Sequence, residues 1–249
     1  MFIDVLAVAN DAVNEEKKGR IFVAIDVFRA TSTIITALGN GCSSVYPVYD
    51  VKEARDTADS LGDLGVLLGG EAHMHKIPGF DLGNSPLEYS SEKVLGRPVV
   101  ITTTNGTKAI RNSCGADDVI IAAFLNNKAV SRYIAKKDKD VVIVCAGTEG
   151  RFTMEDALCA GMIISNIESA GINVEMSDFA MAVRELYLAH RSSIKEVLSG
   201  TAHFRRLVEN GFSRDVDYCL LVDTVSIVPY TKEDRIMQRD IIKLVCEIG

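Results

Sequence analysis

Over its first 150 residues the chain alternates short β-branched runs with helical patterns, and nothing else in it restricts the fold so much. The runs lie near 2–8, 21–27, 44–48, 65–68, 98–102, 118–122 and 140–145, and helical patterns fill 31–39, 51–61, 106–113 and 126–137. Strands separated by helices of this length build βαβ units. Runs such as Val141-Val142-Ile143-Val144-Cys145 are apolar on both faces, as a strand covered on both sides must be. The expected fold is α/β, a largely parallel or mixed sheet flanked by helices.

Beyond residue 150 the pattern turns helical, over 153–169, 178–190, 192–199, 201–210 and 214–221. Val225-Ser226-Ile227-Val228-Pro229 reads as a late strand, and 236–247 as a last helix or strand. No Pro/Gly/Ser linker separates the parts. The expected organisation is an α/β body over 1–150 with a helix-rich C-terminal part over 151–249 packed on it, or one continuous domain.

With 47% hydrophobic and 24% charged residues the chain is globular in composition. A formal charge of −7 argues against a nucleic-acid binder, which needs a basic excess. No apolar run is long enough to span a membrane, and Met1–Val8 lacks the basic region of a signal peptide. Six scattered cysteines without a C-x-x-C pair read as reduced thiols of a cytoplasmic protein. An acidic protein that binds a small anion must do so locally, with a metal, an arginine or helix N-termini.

Such groups collect where strands end, the place where open parallel sheets bind ligands. Asp26-Val27-Phe28-Arg29-Ala30-Thr31-Ser32-Thr33 offers a carboxylate, a guanidinium for bidentate oxyanion contact and hydroxyls at a helix start. The plainer account is a Thr N-cap with a local Asp–Arg pair. Gly69-Gly70-Glu71 follows the next run. In the loop after it, His73 and His75 read as solvated, and Ser85-Pro86-Leu87-Glu88 as a capping box. Thr102-Thr103-Thr104-Asn105-Gly106-Thr107 sits at a strand-to-helix turn, where it can cradle an oxyanion. In Cys145-Ala146-Gly147-Thr148-Glu149-Gly150-Arg151, followed by Thr153, Glu155 and Asp156, the acids suit Mg²⁺. Thr153 and Asp156 also fit a capping box, while Glu149 has no such explanation.

Other phosphatase templates fit poorly. Cys145-x5-Arg151 has the spacing of a thiolate phosphatase, but Val144 stands where His usually precedes the Cys, and Glu149 inside the loop would repel phosphate. Asp26 lacks an Asp two residues on, and there is no Walker A loop, G-x-S-x-G or strand-linked G-x-G-x-x-G.

Taken in order, Asp26–Thr33, Gly69–Glu71, Gly79-Phe80-Asp81-Leu82-Gly83-Asn84-Ser85-Pro86, Thr102–Thr107 and Cys145–Gly150 resemble the 2-phosphosulfolactate phosphatase (ComB) family. Asp215-Val216-x-Tyr218-Cys219 and Val228-Pro229 are similar too, and Phe28 replaces an expected Leu. The resemblance implies a family-specific α/β fold. It also implies Mg²⁺-dependent hydrolysis of 2-phospho-3-sulfolactate to 3-sulfolactate and phosphate, a step towards coenzyme M.

The chemistry then assigns Asp26, Arg29, Glu71 and Glu149 as catalytic. Thr31, Thr33, Asn84, Thr103, Thr104, Asn105, Gly106 and Thr107 are expected to bind substrate. Mg²⁺ would sit on a subset of Asp26, Glu149, Glu155 and Asp156. Glu71 or another carboxylate would be general base, with direct attack by Asp26 as the alternative. The expected partners are a small anionic substrate and a second copy in a dimer, without nucleic acid or membrane. Two other readings are a phosphatase of another small phospho-acid and a non-catalytic binder of such an acid. Carboxylates beside the anion site count against the binder, because they repel an anion that no metal or chemistry engages.

Overall fold

The structure, a computed structural model, describes residues 1–238. Its strands are β1 (Phe2–Leu6), β2 (Arg20–Ile25), β3 (Ser44–Val48), β4 (Leu67–Ala72), β5 (His75–Lys76), β6 (Pro98–Thr102), β7 (Asp118–Ala122), β8 (Asp140–Cys145), β9 (Glu175–Met176), β10 (Pro229–Lys232) and β11 (Arg235–Gln238). Its helices are α1 (Ala30–Gly39), α2 (Val51–Leu61), α3 (Ser91–Val94), α4 (Gly106–Asn112), α5 (Asn127–Ala135), α6 (Met154–Ser169), α7 (Asp178–His190), α8 (Ile194–Ser199), α9 (Ala202–Glu209) and α10 (Ser213–Cys219). Among the described residues no helix is long and apolar enough to cross a membrane.

All the strands join one mixed sheet in the order β5-β4-β6-β3-β11-β10-β7-β2-β8-β1-β9. Two parallel stretches, β4-β6-β3 and β7-β2-β8-β1-β9, flank the antiparallel hairpin β10–β11. That hairpin pairs antiparallel with β7 on one side and with β3 on the other. The strand sense therefore reverses three times between β7 and β3, and the sheet has no single rim of carboxyl ends. Strands from the N- and C-terminal parts share this sheet.

The late strand lies further along than expected. Residues 225–228 are not a strand, and β10 begins at Pro229. Asp223 and Val225 donate their N–H groups to the Phe124 and Leu125 carbonyls, so this stretch is tied to the turn before α5. Of the expected element over 236–247, β11 accounts for the start, and 239–247 lie outside the described residues.

Burial on both faces explains why the central runs are continuously apolar. Ile21, Val23 and Ile25 of β2 face one hydrophobic cluster with α5, α6 and α7. Phe22 and Ala24 face the other, with α1 and α4. Helix α1 is buried along its length from Ala30 to Leu38. Both faces of β2 are thus packed against helices.

Candidate active site

β2 delivers Asp26 to the base of a cleft, and α1 begins four residues later. The Asp26 N–H donates to Thr31 Oγ1 at 2.9 Å, and Thr31 Oγ1 donates to the Asp26 carbonyl at 2.8 Å. Ala30 N–H donates to Asp26 Oδ1 at 3.3 Å. The start of α1 is therefore capped by Asp26 itself and is not an open anion cradle. Gly106 packs against the same carboxylate: a Cβ there would lie 2.6 Å from Asp26 Oδ2 and collide with Ala30 Cβ. Only glycine lets the α4 turn approach this closely. Burial pushes the Asp26 carboxyl up to about 6, opposed by His203 and reinforced by Glu71 and Glu155.

The threonines divide into two kinds. Thr31 and Thr33 are fully buried, and Thr33 Oγ1 donates to the Asn84 carbonyl at 2.8 Å. Thr103 and Thr107 cap one another, with Thr107 N–H on Thr103 Oγ1 and Thr107 Oγ1 on the Thr103 carbonyl. All four hold turns and do not line the cleft. Thr104 and Asn105 do line it. Glu71 fixes this turn: its Oε1 accepts from both N–H and Oγ1 of Thr104 at 2.8 Å, and its Oε2 from Met74 N–H at 2.7 Å.

Arg29 borders the cleft but is 3% exposed. Within the protein it does not form the local pair with Asp26. Its Nη1 donates to Asp215 Oδ2 at 2.6 Å, its Nη2 to the Met74 carbonyl at 3.0 Å, and its guanidinium stacks 4.0 Å over the Phe212 ring. Ser85 Oγ donates to Asp215 Oδ1 at 2.7 Å, so Ser85 anchors this pair and makes no helix-cap bond.

The acidic turn separates into three environments. Asp156 is buried and accepts from Val27 N–H, Gly147 N–H and Thr153 Oγ1. It thereby ties the β2 end to the β8 end, beyond the capping pattern read for it. Burial, with Glu155 and Asp26 nearby, pushes its carboxyl well up. Glu155 Oε1 bonds His203 Nδ1 at 2.6 Å, and its buried Oε2 has no hydrogen-bond partner. Glu149 is exposed and pairs with Arg206 Nη1 at 2.7 Å. Of the four carboxylates from which a metal-binding subset was expected, Glu149 thus stands apart on the surface, whereas Asp26, Glu155 and Asp156 are buried near one another. Among the described residues, no three His, Cys, Asp or Glu side chains are grouped so that they could hold a metal ion.

His203 and Arg206 were not singled out from sequence. Three residues apart on amphipathic α9, they read as part of a solvated helix face.

Cys145 belongs to the strand β8, is 1% exposed and does not line the cleft. Burial and the neighbouring Asp156 push its thiol well above the ordinary range. A thiolate nucleophile is therefore disfavoured there. Cys145→Ala should keep kcat within about threefold, roughly 0.7 kcal/mol. A phosphatase assay on the folded variant checks this, and loss of turnover would restore the thiolate mechanism.

Asp26, Arg29, Glu71, Asn84, Thr104, Asn105, Glu149, His203 and Arg206 line one cleft of about 460 Å³. Three of these side chains are carboxylates and two are guanidiniums, one of the latter already neutralised by buried Asp215. The arrangement suits a reaction on an anion only if a cation offsets Asp26 and Glu71.

Comparison with known proteins finds one family along the chain. Residues 7–234 match the family described as 2-phosphosulpholactate phosphatase. A protein of Caldanaerobacter subterraneus subsp. tengcongensis named "Probable 2-phosphosulfolactate phosphatase" is 43% identical over 232 residues, covering 93% of this chain and 96% of its own. A protein of the same name from Symbiobacterium thermophilum is 43% identical over 223 residues, 90% of this chain and 96% of its own. Another from Clostridium acetobutylicum is 40% identical over 237 residues, 95% of this chain and all of its own. With the match running through every strand-end cluster, the chain belongs to the 2-phosphosulfolactate phosphatase family.

Proposed function

We propose that this protein hydrolyses 2-phospho-3-sulfolactate to 3-sulfolactate and phosphate, with Mg²⁺ as cofactor. The observation that carries the reading is the meeting of Asp26, Glu71 and the Thr104 turn in one cleft of a member of this family. Support for a divalent cation comes from a buried carboxylate and an unpartnered oxygen that line the same cleft. Asp26 is a desolvated carboxylate, and Asn84 Oδ1 is buried without a hydrogen bond. Mg²⁺ prefers hard oxygens, needs only one or two carboxylates and keeps waters and substrate phosphate for the rest. Asp26, with Asn84, would hold it, and bound there it would neutralise phosphate charge and polarise the phosphorus.

The chain's own groups supply the remaining work. Glu71, fixed by three donors, takes the proton of the water that attacks phosphorus. As the new O–P bond forms and the ester P–O bond breaks, the leaving alkoxide takes a proton from His203, whose other ring nitrogen is held by Glu155. Thr104 and Asn105 orient the phosphate. Phosphate release from 2-phospho-3-sulfolactate is the test. It should fall at least a hundredfold in EDTA and return with added Mg²⁺. Release unaffected by EDTA would remove the cation from the reading, and no release with Mg²⁺ would remove the activity.

A further inference from the structure

We propose that Arg206 is the residue that reads the sulfonate of the substrate, with Glu149 as the exchangeable counter-ion it holds when no ligand is bound. The inference rests on the phosphatase reading and deepens it.

The cleft is electrostatically lopsided. Asp26 and Glu71 stand at one end. At the other, Arg206 lies on the border between the cleft and an adjoining hollow of about 350 Å³ that also contains Arg151 and Thr201. Glu149 is the exposed acid among these cations, while Glu155, which also lines that hollow, is buried and bonded to His203 Nδ1 at 2.6 Å. Arg206, Arg151 and His203 all favour its ionised form and hold its carboxyl below the usual range. Positive charge is thus concentrated around a position occupied by one exposed carboxylate.

The pair is also easily exchanged. Side chains of Arg206 and Glu149 are 41% and 67% exposed, and such pairs contribute about 0–1 kcal/mol. Only Nη1 of the guanidinium fork is engaged by Glu149, and the buried Nε has no partner. Because Glu149 engages a single Nη of this planar fork, an acid group that reaches both Nη atoms would be held more fully than Glu149 is. The buried Arg29 cannot do this, since Asp215, Met74 and Phe212 already surround it. A substrate with its phosphate near Asp26 and its sulfonate at Arg206 would match the sign of each end of the cleft. Lys would not substitute, because it lacks the fork.

Binding separates this role from turnover. 3-Sulfolactate and lactate, which differ by the sulfonate, are titrated calorimetrically against the wild type, Arg206→Gln and Glu149→Gln. The wild type should bind 3-sulfolactate at least tenfold tighter than lactate. Arg206→Gln should reduce that preference to within about twofold. Glu149→Gln, which removes the competing carboxylate and keeps the fold, should tighten 3-sulfolactate severalfold. A preference that survives Arg206→Gln, or a wild type with none, overturns the assignment. Sulfonate-dependent binding through Arg206 without phosphate release would uphold it while defeating the phosphatase reading.

Discussion

Asp26→Asn should abolish phosphate release and at the same time make the metal-free protein more stable at neutral pH. The loss of activity is expected to reach at least a thousandfold, about 4 kcal/mol of transition-state stabilisation. The gain in stability follows from the carboxyl's position. Burial raises it from 3.8 to about 6 in the folded protein. A raised acid means that the folded state holds its proton more tightly than the unfolded state does. Stability is then fully present below the unfolded value near 4 and declines as pH rises through about 6. Asn carries no charge to bury and keeps an oxygen for the Ala30 N–H. At pH 7.5 in EDTA the variant should be more stable by on the order of 2–3 kcal/mol, several degrees in Tm. The difference should vanish near pH 3.5, and added Mg²⁺ should raise Tm of the wild type only. Equal melting temperatures at pH 7.5 would show that the Asp26 charge is not desolvated.

The second large effect concerns Asp215. Its carboxylate and the Arg29 guanidinium are 6% and 3% exposed, 2.6 Å apart. Removing one member of a buried pair strands the other charge, which costs about 3–5 kcal/mol. Asp215→Ala should lose that much in urea unfolding. Arg29→Met combined with Asp215→Leu should recover a large part of it, because neither charge then remains buried. A loss below about 1 kcal/mol for Asp215→Ala would mean that Met74 and Phe212 suffice for Arg29.

These two residues mark the boundary of what sequence could tell. Asp26 was legible because it ends a continuous apolar run, Ile21–Ile25, and precedes a cluster of hydroxyls. Asp215 is 186 positions from Arg29, and no local pattern joins them. Thr31, Thr33, Thr103 and Thr107 look like ligand groups in sequence, yet their hydroxyls are already hydrogen-bonded inside the protein, that of Thr33 to the Asn84 carbonyl and the others within their own turns. Composition cannot distinguish a hydroxyl that serves a ligand from one that holds a loop. His203 and Arg206 were hidden for the opposite reason, since charges on an amphipathic helix ordinarily face water. The hairpin β10–β11 was not legible as a hairpin because its turn, Glu233-Asp234, lacks the Asn-Gly or Asp-Gly signature.

That hairpin has a consequence for biosynthesis. Among the described strands it is the last to be translated, yet it occupies the centre of the sheet. Until the ribosome has delivered Lys232 and Arg235, β3 and β7 are separate open edges of two unfinished half-sheets, each offering unpaired N–H and C=O groups to any neighbour. Closure must draw together segments made far apart in time, a slow non-local step. The interval between translating β8 and the hairpin, the stretch that contains α6 to α10, is therefore when a nascent chain is most exposed to mispairing with another copy.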